Sequence, residues 1–475
     1  MTWVNKLFVR VFKLLILISV LSELAKPSME ALGIKGQILT PESGEDYINA
    51  TQRNSEVAVK KPKYIVFPDT PEGIPLVIAF ARSQSLEIAV KCGGVHAAPW
   101  ATSEGGIVID LGHLNKVVVS PDKKSVTVQG GALWGDVYEV CKEANIEVVG
   151  GALWYVGVGG FMVGGGYSPL SGEHGLAVDN VLSAKVVLAD GRIVKTSPTE
   201  EPDLFWAIKG GGNQFGIVIE FILKAYPPLG PYTTGSILYS GKEITKVLKA
   251  IQQNHTGKER LNIIFLRTPP DFSPKVMILP WIADGVDAEK SLAKFTQGDV
   301  KPLSQKIGTA PDIVTTSHSA DAQRKFGPKR LTIRGTLFSD FYDELFLGIW
   351  DRWCNFTEKS PDVRGSVMFW DLTKPDKITQ IGESDTAMHV RSPHYCDPAS
   401  DALCDEFTSD VVSFARETNT KISGKDLGYW ISLSQGDEKP EEIFGDNLPR
   451  LEAIKVKYDP KGVWNKGIVI KPQSA

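Results

Sequence analysis

The 475 residues carry 52 basic and 56 acidic side chains, a net charge of −4, with 42% hydrophobic residues, 45 glycines and 29 prolines. This is a globular composition too long for one core, so two domains are expected, and with no dense Lys/Arg block beyond the first residues it carries no nucleic-acid footprint. Cys92, Cys141, Cys354, Cys396 and Cys404 form neither a C-x-x-C pair nor a His/Cys cluster at zinc spacing, so no metal site is signalled, although Cys396 and Cys404 could bridge.

At the N-terminus, Lys6, Arg10 and Lys13 precede an apolar run from Leu14 to Leu21 that is broken only at Ser19. The pattern predicts a signal peptide within residues 1–25, with Val20-Leu21-Ser22 as cleavage site and a secretory or extracellular product; an amphipathic helix on a cytoplasmic protein is the alternative. The run is shorter than the roughly 20 residues a membrane span requires. Sequons at Asn49, Asn254 and Asn355 fit a secreted glycoprotein.

Tyr64–Pro68 reads as a strand, followed by a helix opening at Thr70-Pro71-Glu72 with Leu76, Val77, Phe80 and Ala81 on one face. Glu87–Lys91 is a strand running into Cys92-Gly93-Gly94-Val95-His96, and paired glycines there deliver bare backbone to a ligand. Ile107–Leu111 is a further strand. Lys116–Val119 and Ser125–Gln129 form a hairpin, and Trp134, Val137, Tyr138 and Cys141 recur at helical spacing.

The densest signal is Gly150–Tyr167, where glycines alternate with apolar residues almost without charge. Such a backbone can lie close against a flat ligand and present consecutive N–H groups to phosphate oxygens. Ser171–Leu176 and Asp179-Asn180 follow, then a hairpin on Asp190-Gly191, a type I′ dipeptide, then Asp203–Ile208, Gly210–Gly216 and a strand at Ile217–Leu223. Pro227–Pro231 punctuates the chain as a domain boundary.

Beyond it, helical patterns (Ile244–Gln253, Ala288–Phe295, Asp340–Trp353) alternate with strand patterns (Asn262–Leu266, Val276–Leu279, Ser366–Trp370), which predicts a sheet covered by helices. His389, His394 and Tyr395 fall on a loop-like stretch. Leu448–Tyr458 reads as a helix stopped by Pro460.

In this order the motifs resemble the FAD-linked oxidases with a PCMH-type flavin domain, in the berberine-bridge-enzyme-like branch. The resemblance is carried by Tyr64–Pro68, Val90–Gly94, Ile107–Leu111, Val126–Ala132, Val156–Tyr167, Gly175–Asn180, Leu188–Arg192, Asp203–Ala207, Gly210–Gly216 and Tyr458-Asp459-Pro460. It implies an α+β fold: a two-part FAD-binding domain from residues 35–229, a central substrate domain over 230–428 with an antiparallel sheet, and a C-terminal segment, 429–475, returning to the FAD domain. It further implies that Cys92, Gly93, Gly94, Val95, His96 and Ala97 hold the pyrophosphate. Gly157, Gly159, Gly160, Gly164, Gly165, Gly166 and Tyr167 would pass along the flavin, and Asp179, Asn180, Ile217 and Val218 would flank it.

The sequence departs from the family in two places. The histidine that most members join to the flavin is replaced by Val95, with His96 one residue later, and the cysteine of a second tether is replaced by Leu153. Neighbouring side chains in an extended turn point apart, so non-covalent FAD is expected, with attachment through His96 the alternative. The family's C-terminal Tyr-x-Asn-Tyr becomes Tyr429-Trp430-Ile431-Ser432, leaving Tyr429 as candidate base or else a packed aromatic.

The implied activity is oxidation of a small organic molecule in secondary metabolism, by hydride transfer to flavin N5 with dioxygen as acceptor. A non-redox flavoprotein and a silent FAD-binding protein are the alternatives. No GxGxxG follows a strand and opens a helix, so no nicotinamide site is expected.

Overall fold

The computed structural model describes residues 28–252, 256–321, 330–374, 377–378, 388–394 and 398–473. The expected signal segment, the Asn254 sequon asparagine, Tyr395 and Cys396 lie outside them.

The first sheet contains β1 (Gly36–Leu39), β2 (Tyr64–Pro68), β3 (Ile88–Lys91) and β4 (Ile107–Asp110), in spatial order β1-β2-β4-β3. β4 runs parallel to both β2 and β3, which requires a crossover between β2 and β3, and helix Gly73–Ser83 supplies it. This helix buries Ile74, Val77, Ile78, Phe80 and Ala81. Leu76, expected on the same face, is 40% exposed, because it stands about 200° around the axis from Ile74.

The second sheet contains β5 (Val117–Val119), β6 (Ser125–Gln129), β7 (Glu147–Val148), β8 (Val181–Val187), β9 (Ile193–Thr196) and β10 (Ile217–Tyr226). Its order is β5-β6-β10-β8-β9, with β7 against the end of β10. The β8–β9 hairpin turns on Ala189-Asp190-Gly191 with only Gly191 at positive φ, +90, and its amide donating to Leu188 O at 3.0 Å, so the type I′ turn expected from Asp-Gly is replaced by a three-residue loop ending in a left-handed glycine.

The third sheet holds β11 (Tyr232–Ser240), β12 (Glu259–Arg267), β13 (Pro274–Ile282), β14 (Ser304–Ala310), β15 (Thr332–Phe338), β16 (Met368–Thr373) and β17 (Met388–His394). Its pairings are antiparallel, in order β14-β11-β13-β12-β16-β17-β15. Ile237, Ile263, Phe265, Ile278, Met368 and Trp370 point to one face and form a core with the apolar sides of helices Ile244–Ile251, Ala288–Thr296, Asp343–Glu358 and Asp401–Ser423. The helix expected over Asp340–Trp353 thus begins later and ends later, and the strand expected at Ser366–Trp370 is displaced toward Thr373. His389 and His394 sit on β17 and not on a loop, because β17 is held between β15 and β16.

Between the second and third sheets, Glu147 on β7 is buried and accepts hydrogen bonds from the Tyr232 hydroxyl and, at 3.1 Å, from the Leu229 amide. It thereby fixes the proline-rich passage 227–231; burial raises its pKa. The C-terminal segment then comes back: Phe444, Leu448, Leu451, Ile454, Tyr458, Ile468 and Ile470 join the core of the second sheet. Cys404 is disulfide-bonded, while Cys92, Cys141 and Cys354 are free thiols. Among the described residues, no helix is long and apolar enough to cross a membrane, and no cluster of His, Cys, Asp and Glu could hold a metal ion.

Candidate flavin site

The glycine segments at 92–94 and 157–159 meet. A β-carbon on Gly93 would stand 2.5 Å from the Gly157 nitrogen, so only bare backbone permits the approach. Gly130-Gly131-Ala132 is wedged beside them: the Gly159 amide donates to Gly130 O at 3.1 Å, the Val158 amide to Ala132 O at 2.9 Å, and the Gly130 amide to Ile219 O at 2.8 Å. That last bond lies at the irregularity in β10 between Val218 and Glu220, which places Ile217 and Val218 next to the same crossing. Gly94 turns the chain at φ +66, with the Lys91 and Arg53 side chains against it, and Lys91 is held by buried Asp110 at 2.7 Å.

Gly164–Tyr167 continues this surface. The Ala177 and Val178 amides donate to Gly166 O and Gly165 O, bringing Asp179 and Asn180 alongside. Their side chains, however, are used within the protein. Asp179 accepts from the Leu176 amide at 2.8 Å, and burial raises its pKa. Asn180 donates to His174 O and Leu176 O and accepts from Tyr226 at 2.5 Å, so these two side chains hold the turn.

Three observations test whether FAD fits. Beside Gly160, Gly165 and Gly210 a β-carbon would meet nothing within 4 Å, so this bare backbone faces open space. His96 Nδ1 accepts from the Ala98 amide at 3.1 Å, which leaves the proton on Nε2, and that buried nitrogen has no partner. Arg53 Nε, beside Gly94, is likewise buried and unpaired. Unsatisfied donors at a glycine turn suit the oxygens of a diphosphate, so the residues fit the cofactor. The His96 ring packs on Trp100 at 4.5 Å, and burial pulls its pKa down to about 4, so it is neutral at pH 7. Cys92, whose Sγ lies 3.4 Å from Ala132 O, has its pKa pushed up to about 11 by burial and is an inert thiol. Leu153 lies in a loop whose next residue, Trp154, is tied to the third-sheet side by its bond to Asp321 Oδ1 at 2.6 Å and its stacking on His318.

The C-terminal motif divides over two sides. Trp430 Nε1 and Ser432 Oγ both donate to Gly164 O, at 3.1 and 3.2 Å, and the Trp430 ring meets Tyr167 edge-on at 5.0 Å. Tyr429 pairs with Thr336 in a β-bridge, so its side chain leaves in the other direction, where the Arg416 guanidinium covers its ring at 4.3 Å. Of this motif, therefore, Trp430 and Ser432 join the predicted flavin surface, and the reading of Tyr429 as a base is corrected to that of a packed aromatic. Tyr429→Phe keeps kcat within about threefold of the parent, since the ring and its cation contact survive; steady-state kinetics check this.

On the sheet face opposite the helices, Arg260 of β12 grips Asp371 of β16 with both guanidinium arms, Nε to Oδ1 at 2.7 Å. Both are buried. His389 stands in register with Asp371 on one side and with Leu337 on the other, and Leu337 packs with Tyr167 and Trp430. The ion pair escaped sequence reading because its halves are 111 residues apart. Strand alternation would have put each on the face away from the helices.

The site described is that of a PCMH-type flavoprotein. The FAD binding domain family matches residues 62–197, and the berberine and berberine-like family matches 429–467. The FAD-linked oxidoreductase pgmH of Aspergillus terreus is 29% identical over 90% of this chain and 92% of its own. The glucooligosaccharide oxidase of Sarocladium strictum is 27% identical over 86% and 87%. In fold, the chain is similar to xylooligosaccharide oxidase from Myceliophthora thermophila (TM-score 0.79, 20% identity, 94% and 99% covered) and to Physcomitrella patens BBE-like 1 (0.80, 16%, 94% and 100%). The chain resembles the berberine-bridge-enzyme-like FAD-linked oxidases over nearly its whole length and is an FAD-linked oxidoreductase.

Proposed function

We propose that this enzyme holds FAD without a covalent bond, oxidises a small organic molecule, and passes the electrons to dioxygen. The observation that carries the reading is the meeting of the 92–94 and 157–159 backbones beside unpaired donors on His96 and Arg53. Val95 offers no nucleophile at the family's attachment position, and the neighbouring His96 has Nδ1 engaged by Ala98 and its proton on Nε2.

When bound, FAD supplies the two-electron acceptor, and the protein supplies binding, orientation and a dry site. The turn at Gly93-Gly94 furnishes amides for the diphosphate, with the His96 and Arg53 donors beside it. Trp430 and Ser432, anchored on Gly164, close the surface against water, and Tyr167 sets the edge of the space left for substrate. The Arg260–Asp371 pair ties β12 to β16 and so keeps the facing wall rigid.

The disulfide at Cys404 supports a secretory route, because such bonds persist in oxidising compartments. Precipitating the yellow holoenzyme with acid leaves a colourless pellet and all flavin in the supernatant; colour retained in the pellet overturns the non-covalent reading. Peroxide released in step with substrate consumption supports dioxygen as acceptor. Turnover seen only with an artificial dye argues against it.

A further inference from the structure

We propose that the outer edge of β14 is an interaction surface whose partner is the same edge of a second copy of this chain, paired antiparallel about a two-fold axis through Ile307. The seven-stranded sheet ends in β15 on one side and β14 on the other, and the chain treats these edges differently. β15 is covered on its outer side. Thr336 pairs with Tyr429 in a β-bridge, the Leu331 amide just before the strand donates to Ser55 Oγ at 2.9 Å, and Gln435 Nε2 donates to Ile333 O. Among the described residues, no strand pairs with the outer edge of β14.

β14 also lacks most of the devices that protect an edge. It keeps unbroken register with β11 from Ser304 opposite Leu238 to Ala310 opposite Tyr232, with no bulge and no proline, and Lys306 is its one charged residue. Residues 304–309 are all exposed. A strand left in this state offers alternate amides and carbonyls in the pattern that another strand accepts.

A second β14 fits because the sequence is self-complementary. Antiparallel pairing about a two-fold axis sets one residue opposite itself and its neighbours opposite each other in reverse order. With Ile307 on the axis, Ile307 meets the partner's Ile307, Gln305 meets the partner's Thr309, and Leu303 meets the partner's Pro311. Apolar groups therefore face apolar groups, and an amide faces a hydroxyl. Leu303 and Ile307 are 57% and 37% exposed, and this pairing covers them. On the other face Lys306 falls opposite the partner's Gly308. A β-carbon on Gly308 would meet nothing within 4 Å, so the lysine stem has room to lie there. Moving the axis to Lys306 sets like charges face to face, and moving it to Gly308 sets Ile307 against Thr309 and Gln305 against Pro311. Of these registers, the one through Ile307 is free of conflict. The paired edges span about 23 Å. That contact is smaller than the roughly 1,600 Å² of a standard stable complex, so dimer and monomer exchange reversibly.

Sedimentation velocity of the holoenzyme from about 5 to 200 µM tests the proposal, and a shift from monomer to dimer across that range is expected. Ile307→Lys and Ile307→Glu each place like charges on the axis, so each alone should raise the dissociation constant at least tenfold. An equimolar mixture of the two should recover dimer at the parental level or above. FAD content, turnover and the urea midpoint stay at parental values in both variants, because position 307 lies on an exposed edge. Under oxidation Ile307→Cys should cross-link to its own copy, whereas Ser304→Cys should not. A protein that stays monomeric throughout, a dimer that persists in both charged variants, or a mixture that remains monomeric overturns the proposal.

Discussion

Lys455→Met lowers the unfolding free energy by about 3–5 kcal/mol, the cost of leaving a buried charge without its partner. Lys455 and Asp459 are both wholly buried, 2.9 Å apart, one turn apart at the end of helix Leu448–Tyr458. The ammonium also donates to Gln214 O at 2.6 Å and Trp464 O at 2.7 Å, while Asp459 accepts from the Val463 and Trp464 amides. Removing the cation strands the carboxylate and two backbone carbonyls together. Because Gln214 belongs to the Gly210–Gly216 turn, the variant should also retain less flavin. Urea unfolding of both proteins measures the difference, and a loss below about 1 kcal/mol would show that the site relaxes to admit water.

Lowering the pH from 6.5 to 4 removes about 3 kcal/mol of stability from the FAD-free protein through His96 alone. The folded imidazole titrates at about 4 and the unfolded one near 6.5, because burial disfavours the cation. Between those values the unfolded chain binds the additional proton. The contribution is therefore complete above 6.5 and lost as pH falls toward 4. His174, stacked on Tyr226 at 3.7 Å and also drawn down to about 4 by burial, adds a smaller loss of the same sign. Buried Glu147, with its pKa raised, opposes them in part. Subtraction isolates one group: His96→Phe should flatten the slope of urea midpoint against pH in this window, and identical slopes in parent and variant would refute the assignment.

The glycine turns were legible in sequence because their requirement is local. A strand ending in Gly-Gly, an Asp-Gly hairpin and a run with no side chains to bury each declare their own backbone. The crossing of 92–94 with 157–159 followed from the order of those motifs in a known family, not from any periodicity. What stayed hidden depends on pairings distant in sequence. Alternation alone shows that Tyr429 and Trp430 face apart, but which of them meets Gly164 is decided by the bridge from Tyr429 to Thr336. Helix Asp401–Ser423, the longest among the described residues, passed unmarked because its inward face includes Thr408, Thr418 and Asn419. Those groups are satisfied internally, Thr408 on Cys404 O and Asn419 by the Ser339 amide, so burial there does not look apolar. Arg53 was overlooked because nothing nearby signals that a helix-end arginine will lie against Gly94.

The return of the C-terminal segment has a consequence for biosynthesis. Trp430 and Ser432 on Gly164, and Lys455 on Gln214, come from residues that leave the ribosome only after the whole seven-stranded sheet. While translation continues, the nascent glycine surface must wait open, with its apolar neighbours unshielded and exposed to chaperones. Chains stalled before residue 429 are therefore expected to retain less flavin than those that have released residues 430–455, which flavin absorbance of the stalled chains measures.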